Sequence, residues 1–410
     1  MRDTELYGRI LGVVAPWRVT DVELELEAGA GEVRVRVSWE PPEVACPKCG
    51  ARGVRHDTRE RRWRHLDTCQ YRTILIAEVP RVRCGEHGVH QVKVPWAEEG
   101  SRFTALFEAL VIDWLQIGTI RAVSGQLGLS WDEVDGVMQR AVQRGLRRRE
   151  QARPKNVGVD ETSFQRRHEY VTVVSDGKHV LWLADGRKRE ALDAFWASVP
   201  AEARGEVKSV AMDMWAPYIT STQAQVPGAE DKIAFDKFHV AMHLSQAVDS
   251  VRRREHRQLR EGGDQVLKGT KYLWLRNPES LSAEQCEAFE AIQTRALKTA
   301  RAWAIKEAAM ELWSFTDRAA AEKAWKGWYA WAVRCRLEPI KRVAKMVRRH
   351  LRGIINAILL GVTNARAEGF NSAIQWLKSS ARGFRNRERF RNAIYFRLGG
   401  LDLYPASLCR

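Results

Sequence analysis

Two aspartates, widely separated along the chain, are the side chains best suited to metal-dependent chemistry. Asp160 falls inside the strand-like segment VGVDET, and Asp213 ends the strand-like part of SVAMDMW. Strand interiors disfavour aspartate, and a buried carboxylate must be paired, protonated or bound to a cation. Taken singly, each is more simply a strand-end or turn residue. Together, on neighbouring strands, they predict a shared pair of divalent cations for in-line phosphoryl transfer.

A third carboxylate is expected from the helical segment over residues 363–378. Its polar side chains recur at helical spacing and therefore line one face. They are Asn364, Glu368, Asn371, Gln375 and Lys378. A solvated face would be rich in Glu and Lys, whereas this one surrounds a single glutamate with amides, which favours a face turned to metal or DNA. A cluster of carboxylates alone is a hard oxygen site, so the expected ion is Mg²⁺, or Mn²⁺ in its place.

The elements that must position the two aspartates follow a definite order. The alternation of apolar residues predicts strands over 157–163, 168–175 and 179–184, a helix over 189–199, strands over 207–213 and 232–235, and a helix from Asp236 onward. This is the order of a ribonuclease H-like α/β domain, in which the first and fourth strands are neighbours. Asp160 and Asp213 lie on those two strands.

Residues 251–342 read as a long helical insertion, rich in Ala, Glu, Lys and Arg, with six tryptophans. A tryptophan there can stack on an unpaired base, but a helix core is the simpler interpretation, and Trp325 and Trp328 predict one buried stripe. Farther on, Lys378, Arg382 and Arg385 are predicted to contact the DNA backbone, with exposed charge for solubility as the alternative.

The N-terminal quarter carries the spacing of a zinc site. A predicted β-hairpin over residues 22–39 is followed by Cys46-Pro-Lys-Cys49-Gly and later by Cys84-Gly-Glu-His87-Gly. Two such turns supply four ligands for a tetrahedral structural zinc ion. The alternative is two unrelated turns with reduced thiols. Cys69 and His65 are spare candidates for the zinc site, although Cys69 is expected to pack inside a strand as a small apolar side chain.

Helical periodicity between residues 103 and 149 predicts a helix-turn-helix. A short helix ends at Gly128, and Ser130 and Glu133 form a capping box that starts a longer helix with a buried apolar stripe. In this layout the last helix enters the major groove of DNA. Its outward, DNA-binding face is predicted to consist of Gln139, Arg140, Gln143, Arg144 and Arg147. A plain helical bundle with a solvated basic face is equally compatible.

Composition agrees with a polyanionic partner. The 410 residues carry a formal net charge of +16, and the excess of Lys and Arg recurs in several blocks. Seven cysteines in a chain of this length argue against a disulfide framework. Without a run of eighteen apolar residues or a leader-like start, the chain is expected to be cytoplasmic.

Ten short motifs, in this order, give a resemblance that spans nearly the whole chain. They are CPKCG, WRHLD, PRVRC, PWA, SRFT, VGVDETS, AMDMWAPY, FDKFHV, TNARAEGFN and GFRN. The sequence resembles bacterial insertion-sequence transposases of the ISL-three family. The resemblance implies that Asp160, Asp213 and Glu368 form a DDE triad. It also implies that Asp236 and His239 form the D-x2-H element after the second acid, with His239 either near the scissile phosphate or simply packed on the sheet.

We therefore expect a multidomain α+β protein. Its predicted parts are a zinc-binding β-rich module (1–100), a helix-turn-helix region (101–153), a ribonuclease H-like domain (154–250 and 343–400) interrupted by an all-helical insertion (251–342), and a C-terminal tail (401–410). The expected activity is cleavage and strand transfer of double-stranded DNA at the terminal inverted repeats of an insertion sequence, performed by a homodimer on DNA. The alternatives are a transposase-derived DNA-binding regulator that does not cut, and a nuclease or resolvase of the same fold.

Overall fold

The structure is a computed structural model that describes residues 2–27, 30–41, 43–165, 169–295, 297–362 and 365–406. The chain divides into two compact units. The first comprises Met1–Arg149 with Tyr395–Arg397 and Leu401–Arg410, and the second comprises Glu150–Ile394 with Leu398–Gly400. The predicted strand start at His168 and the predicted polar position Asn364 lie outside the described residues.

The first unit opens with helix α1 (Asp3–Ile10) and a sheet that has six strands within the described residues. These are β1 (Trp17–Glu27), β2 (Ala30–Trp39), β3 (Val44–Ala45), β4 (Arg52–Thr68), β5 (Tyr71–Cys84) and β6 (Gly88–Gln91), in the order β1-β2-β5-β4-β3 with β6 on β5. Strands β1 and β2 pair antiparallel, which confirms the predicted hairpin. Alternate residues of β2 and β5 point into one core, where Trp17, Trp63 and Trp96 pack edge to face.

Three helices complete this unit: α2 (Ala105–Ile117), α3 (Ile120–Leu127) and α4 (Trp131–Arg148). Gly128 ends α3 in the left-handed conformation with φ of 62°, which glycine adopts without strain. The capping box that starts α4 is confirmed, because the Glu133 amide donates to the Ser130 hydroxyl and the Ser130 amide donates to the Glu133 carboxylate. The short helix, turn and capped long helix therefore form as predicted.

The second unit contains a five-stranded sheet among the described residues. Its strands are β7 (Asn156–Gln165), β8 (Glu169–Ser175), β9 (Val180–Asp185), β10 (Ser209–Met212) and β11 (Ile233–Phe235), in the order β11-β10-β7-β8-β9. Strands β7, β8 and β9 are joined antiparallel, whereas β10 runs parallel to both β7 and β11. The first and fourth strands of this unit are thus direct neighbours, as expected.

Short helices connect these strands and a long one leaves the sheet. Helices α5 (Arg189–Ser198) and α6 (Ala201–Glu206) lie between β9 and β10 in the chain, α7 (Ala216–Gln225) and α8 (Ala229–Lys232) lie between β10 and β11, and α9 (Lys237–Glu261) follows β11. Trp196 and Tyr218, from α5 and α7, are fully buried against the sheet with Val159 and Val210. This core packs against the parallel strands β7 and β10.

The remaining chain is helical, as predicted for the insertion. It forms α10 (Lys271–Leu275), α11 (Ala283–Gln293), α12 (Lys298–Glu311), α13 (Arg318–Arg334), α14 (Glu338–Arg349), α15 (Leu351–Leu360), α16 (Ala365–Ser380) and α17 (Arg387–Leu398), with 3-10 turns at Pro278–Ser280 and Leu312–Ser314. Trp325 and Trp328 form the predicted buried stripe, while Trp331 is 43% exposed. Within the described ranges, no helix has both the length and the apolar character needed to cross a membrane.

Candidate active site

The parallel pairing of β7 with β10 brings the two predicted aspartates to one edge of the sheet. Val210 pairs with Val157 and Ala211 with Gly158. Continuing this register by two residues places Asp213, just after β10, level with Asp160 in β7. Each acid follows a buried residue, Val159 or Met212, so the same alternation that builds the core fixes where the carboxylates emerge.

Asp160 is the most perturbed acid of the cluster. Its Oδ1 accepts a hydrogen bond of 2.8 Å from the Glu161 amide, and its Oδ2 accepts one of 2.7 Å from the side-chain amide of Asn371. Burial raises the pKa of Asp160 to about 6, with smaller upward contributions from the charges of Glu161 and Asp213 and a downward one from His239. Such a site gains from a bound cation, which would favour the ionised carboxylate.

Helix α16 is fastened along β7 by its polar face. Besides Asn371, the amide of Gln375 donates to the Thr162 hydroxyl at 3.2 Å, and the ammonium of Lys378 donates to the Ser163 carbonyl at 2.6 Å. Glu368 lies one helical turn before Asn371 and therefore belongs to the same face of the helix. The predicted polar face is thus confirmed over its described part. The Lys378 ammonium is already hydrogen-bonded to the protein's own backbone.

Three buried polar atoms around the acids have no hydrogen-bond partner among the described residues. They are Oε1 of Glu368, Oδ1 of Asn371 and Nδ1 of His239. Orphaned buried polar atoms are rare in folded proteins because each costs free energy. The Asn371 side chain lies beside Asp160, because its amide nitrogen bonds to that carboxylate. Two of the three atoms are oxygens, the donor type that Mg²⁺ and Mn²⁺ prefer, so the chemistry of these side chains fits a divalent cation.

The predicted D-x2-H element has two distinct parts. Asp236 is buried and caps helix α9, since its Oδ1 accepts a hydrogen bond of 3.2 Å from the Phe238 amide. His239, in the first turn of the same helix, has Nδ1 at 3.6 Å from Oδ1 of Asp213. The cap therefore orients the histidine towards the second acid. A catalytic role for either residue stays a prediction.

The structure adds two residues to this region that the sequence reasoning did not select. Burial raises the pKa of the Glu161 carboxyl, and the negative charge of Asp213 adds to that rise. Arg187 opposes it, with Nη1 at 3.4 Å from Oε1 of Glu161. The guanidinium of Arg187 also lies 4.4 Å from the ring centroid of Tyr170 and 4.7 Å from that of Trp215. Glu161 stands next to Asp160 in the motif VGVDETS, whereas nothing in the spacing points to Arg187.

The four predicted zinc ligands converge. One ligand atom from each of Cys46, Cys49, Cys84 and His87 lies within 4.8 Å of all the others. Hydrogen bonds from the backbone amides of Cys49 and Lys48 lower the pKa of Cys46 to about 7, which favours the thiolate that binds metal. The arrangement suits one tetrahedral ion.

Cys69 was expected inside a strand, and that expectation is wrong. It is exposed in the turn between β4 and β5, where its φ is 56°.

Two arginines of the predicted DNA-binding face of α4 are wholly or partly withdrawn from solvent. Arg144 is buried, and it forms ion pairs with Glu98 and with the buried Glu108 at 3.0 Å. Arg140 is half-buried and also pairs with Glu108, with Nε 2.9 Å from Oε1. The expectation that Arg144 faces outward is therefore wrong, because its charge is neutralised inside the protein.

The rest of that face keeps its predicted character. Gln143 and Arg147 are exposed, and Gln139 is partly exposed. In the second unit, Arg382 and Arg385 are exposed near the end of α16. These side chains are accessible to DNA, and their contacts with it stay predictions.

Comparison with known families agrees with this layout. Residues 157–394 match the DDE transposase domain of ISL3 type, described as "Transposase". Residues 92–142 match the "Helix-turn-helix domain of transposase family ISL3", and residues 42–87 match the "zinc-finger of transposase IS204/IS1001/IS1096/IS1165". The matched segments contain the acids, the capped helix and the four metal-binding side chains, respectively.

Individual relatives align over most of their length. The "Transposase for insertion sequence element IS1001" of Bordetella parapertussis is 29% identical over 85% of this chain and 87% of its own. The "Transposase for insertion sequence element IS1557" of Mycobacterium tuberculosis is 28% identical over 94% of this chain and 93% of its own. Since the DDE match alone covers more than half of the residues, the chain belongs to the ISL3 family of transposases.

Proposed function

We propose that this transposase cuts and joins DNA at the ends of an insertion sequence by two-metal phosphoryl transfer, with Asp160, Asp213 and Glu368 as the ion ligands. The observation that carries the proposal is the placement of the first two acids, one in β7 and one just after the adjacent parallel strand β10. The supporting observation is a helix docked on β7 that carries Glu368 with an unpartnered oxygen. The sheet order, with three antiparallel strands followed by two parallel ones, supports a ribonuclease H-like domain.

Two divalent cations, Mg²⁺ or Mn²⁺, held by these carboxylates would activate the attacking oxygen and stabilise the leaving oxygen. The chain's own residues supply position. Asn371 orients Asp160 through one oxygen and leaves the remaining lone pairs of that carboxylate for ion binding. His239 lies close enough to Asp213 to orient it, or to hold a proton near the reacting phosphate.

The N-terminal unit supports the same function. The zinc-finger match and the convergence of Cys46, Cys49, Cys84 and His87 support a structural Zn²⁺. The helix-turn-helix match supports double-stranded DNA as the partner, and we propose that Gln143 and Arg147 contact the terminal repeats. Two element ends must be brought together, so we propose a homodimer on DNA, in the bacterial cytoplasm and nucleoid.

The decisive experiment uses DNA that spans one element end, with the terminal inverted repeat identified by sequencing the DNA beside the gene. We expect Mg²⁺-dependent nicking and strand joining by the native protein and a loss of at least about 100-fold in Glu368→Gln, since each ion ligand acts directly on the reaction. Glu284→Gln is the matched control, because Glu284 is an exposed helical glutamate remote in sequence from the acids.

The other possible outcomes would support an alternative function or contradict the assigned triad. Binding without cutting by the native protein would indicate the transposase-derived regulator. Cutting without joining would indicate the nuclease or resolvase. Equal nicking by the native protein and Glu368→Gln would contradict the assigned triad.

A further inference from the structure

The second unit also contains a pocket beside Asp160 and Asp213 that has no part in the proposed metal binding. This pocket has a volume of about 900 Å³ and is built by the start of β8, the end of β9 and the starts of α5, α7 and α17. Its lining includes Tyr170, Arg187, Lys188, Trp215 and Arg387. A basic, aromatic-lined groove of this size matches a polyanionic strand better than a small metabolite.

The side chain of Arg187 is held in place in this pocket by several contacts. Its guanidinium lies 4.4 Å from the ring centroid of Tyr170 and 4.7 Å from that of Trp215, and the Trp215 indole donates a hydrogen bond of 2.9 Å to the Arg187 carbonyl. Two ring contacts and one ion pair hold the cation in place before any ligand binds. A preorganised arginine loses little side-chain entropy on binding a phosphate.

The charge balance of the pocket favours an anion. Its lining holds four cationic side chains against two carboxylates, Asp185 and Glu190. Asp185 already has cationic partners, at 3.8 Å from Arg387 and 3.7 Å from Arg391. Lys188 is exposed, and its side-chain ammonium has no hydrogen bond or ion pair within the described part of the chain, so its charge is available to a ligand.

The pocket is continuous with the proposed catalytic site. Arg187 reaches Glu161, the neighbour of Asp160, and Trp215 lies two residues after Asp213, with its amide donating to the Asp213 carbonyl at 2.7 Å. We propose that this pocket is a subsite for the DNA backbone next to the scissile phosphate. In it, Arg187 and Lys188 each bind a backbone phosphate, independently of base sequence. This inference rests on the proposed function.

The test measures how binding depends on salt, because each phosphate contact contributes about 0.9 to the slope of log Kd against log salt concentration. The probe is a fluorescent 40-bp duplex that spans the junction of the terminal repeat and the flanking DNA, without added Mg²⁺ so that it is not cut. We expect the slope to fall by about 0.9 in Lys188→Gln, by about 0.9 in Arg187→Gln, and by about 1.8 in the double variant. Arg301→Gln, at an exposed arginine on α12, is expected to leave it unchanged.

Lys188→Gln keeps the test decisive if Arg187→Gln folds poorly, since the lysine side chain makes no described contact that the fold needs. Melting temperatures of all variants establish which of them are folded. A slope unchanged in folded Lys188→Gln and Arg187→Gln would overturn the subsite, and so would an equal fall in Arg301→Gln. These results leave the comparison of Glu368→Gln with the native protein untouched, so the subsite and the catalytic proposal fail separately.

Discussion

Asn371 offers the sharpest test of how the catalytic cluster is held together. Its amide donates a 2.7 Å hydrogen bond to Asp160, and a hydrogen bond to a charged group contributes about 1.5–3 kcal/mol. Losing a side chain that orients a metal ligand typically weakens metal binding about 10–100-fold, which corresponds to about 1.4–2.8 kcal/mol. The two magnitudes agree, so we expect Asn371→Ala to raise the Mg²⁺ concentration for half-maximal nicking about 10–100-fold.

The assay is a Mg²⁺ titration of DNA nicking at saturating DNA, together with direct Mn²⁺ binding measured by calorimetry. Gln375→Ala is the matched control, since Gln375 lies one turn farther along α16 and donates a longer bond of 3.2 Å to a neutral hydroxyl. That bond contributes only about 0.5–1.5 kcal/mol and touches no ion ligand. The reasoning is refuted if Asn371→Ala keeps its metal affinity within about threefold, or if Gln375→Ala loses as much.

Three further predictions concern the first unit. Cys84→Ser, or treatment with a strong chelator, is expected to remove one zinc ion per chain and unfold this unit, as checked by metal analysis and circular dichroism; retained zinc would contradict the ligand set. Burial lowers the pKa of His65 to about 4, so the unfolded state binds more protons between about pH 6.5 and 4. Denaturant titrations should therefore show that the free energy of unfolding of the native protein falls by about 3 kcal/mol more than that of His65→Gln as the pH falls through this window. Parallel changes in the two proteins would contradict the prediction. Arg147→Gln should lower the salt slope of DNA binding by about 0.9 at unchanged melting temperature, whereas Arg144→Gln should destabilise the fold by about 3–5 kcal/mol; the opposite pattern would restore Arg144 to the DNA-binding face.

The positions of the acids were predictable because local rules and topology agree. Alternating apolar residues identified the strands of Asp160 and Asp213, and their chain order implied that those strands are neighbours. The pairing of β7 with β10 confirms this adjacency. The capping box at Ser130 was equally visible, since it depends only on residues three apart.

The helical spacing also indicates that Arg144 is buried, but an arginine is normally expected at the surface because of its charge. It lies seven residues after Val137 and three after Ala141, both buried, so it belongs to the inner face of α4. What makes its burial tolerable is Glu98 and Glu108, which are 46 and 36 residues away in sequence. A helical pattern carries no information about such distant partners. Arg187 could not be predicted either, because its contacts with Tyr170 and Trp215 join residues that are distant in sequence.

The amide-rich face of α16 follows from the electrostatics of the cluster it covers. A lysine in place of Asn371 would neutralise Asp160 with the protein's own charge and compete with incoming cations. A carboxylate there would add repulsion to a site where burial and neighbouring acids already raise the pKa of Asp160 to about 6. An amide avoids both effects, because its N–H satisfies one lone pair of the aspartate while its oxygen stays free. The amide-rich composition of this helix is therefore the one that satisfies the Asp160 carboxylate and still leaves it able to bind metal.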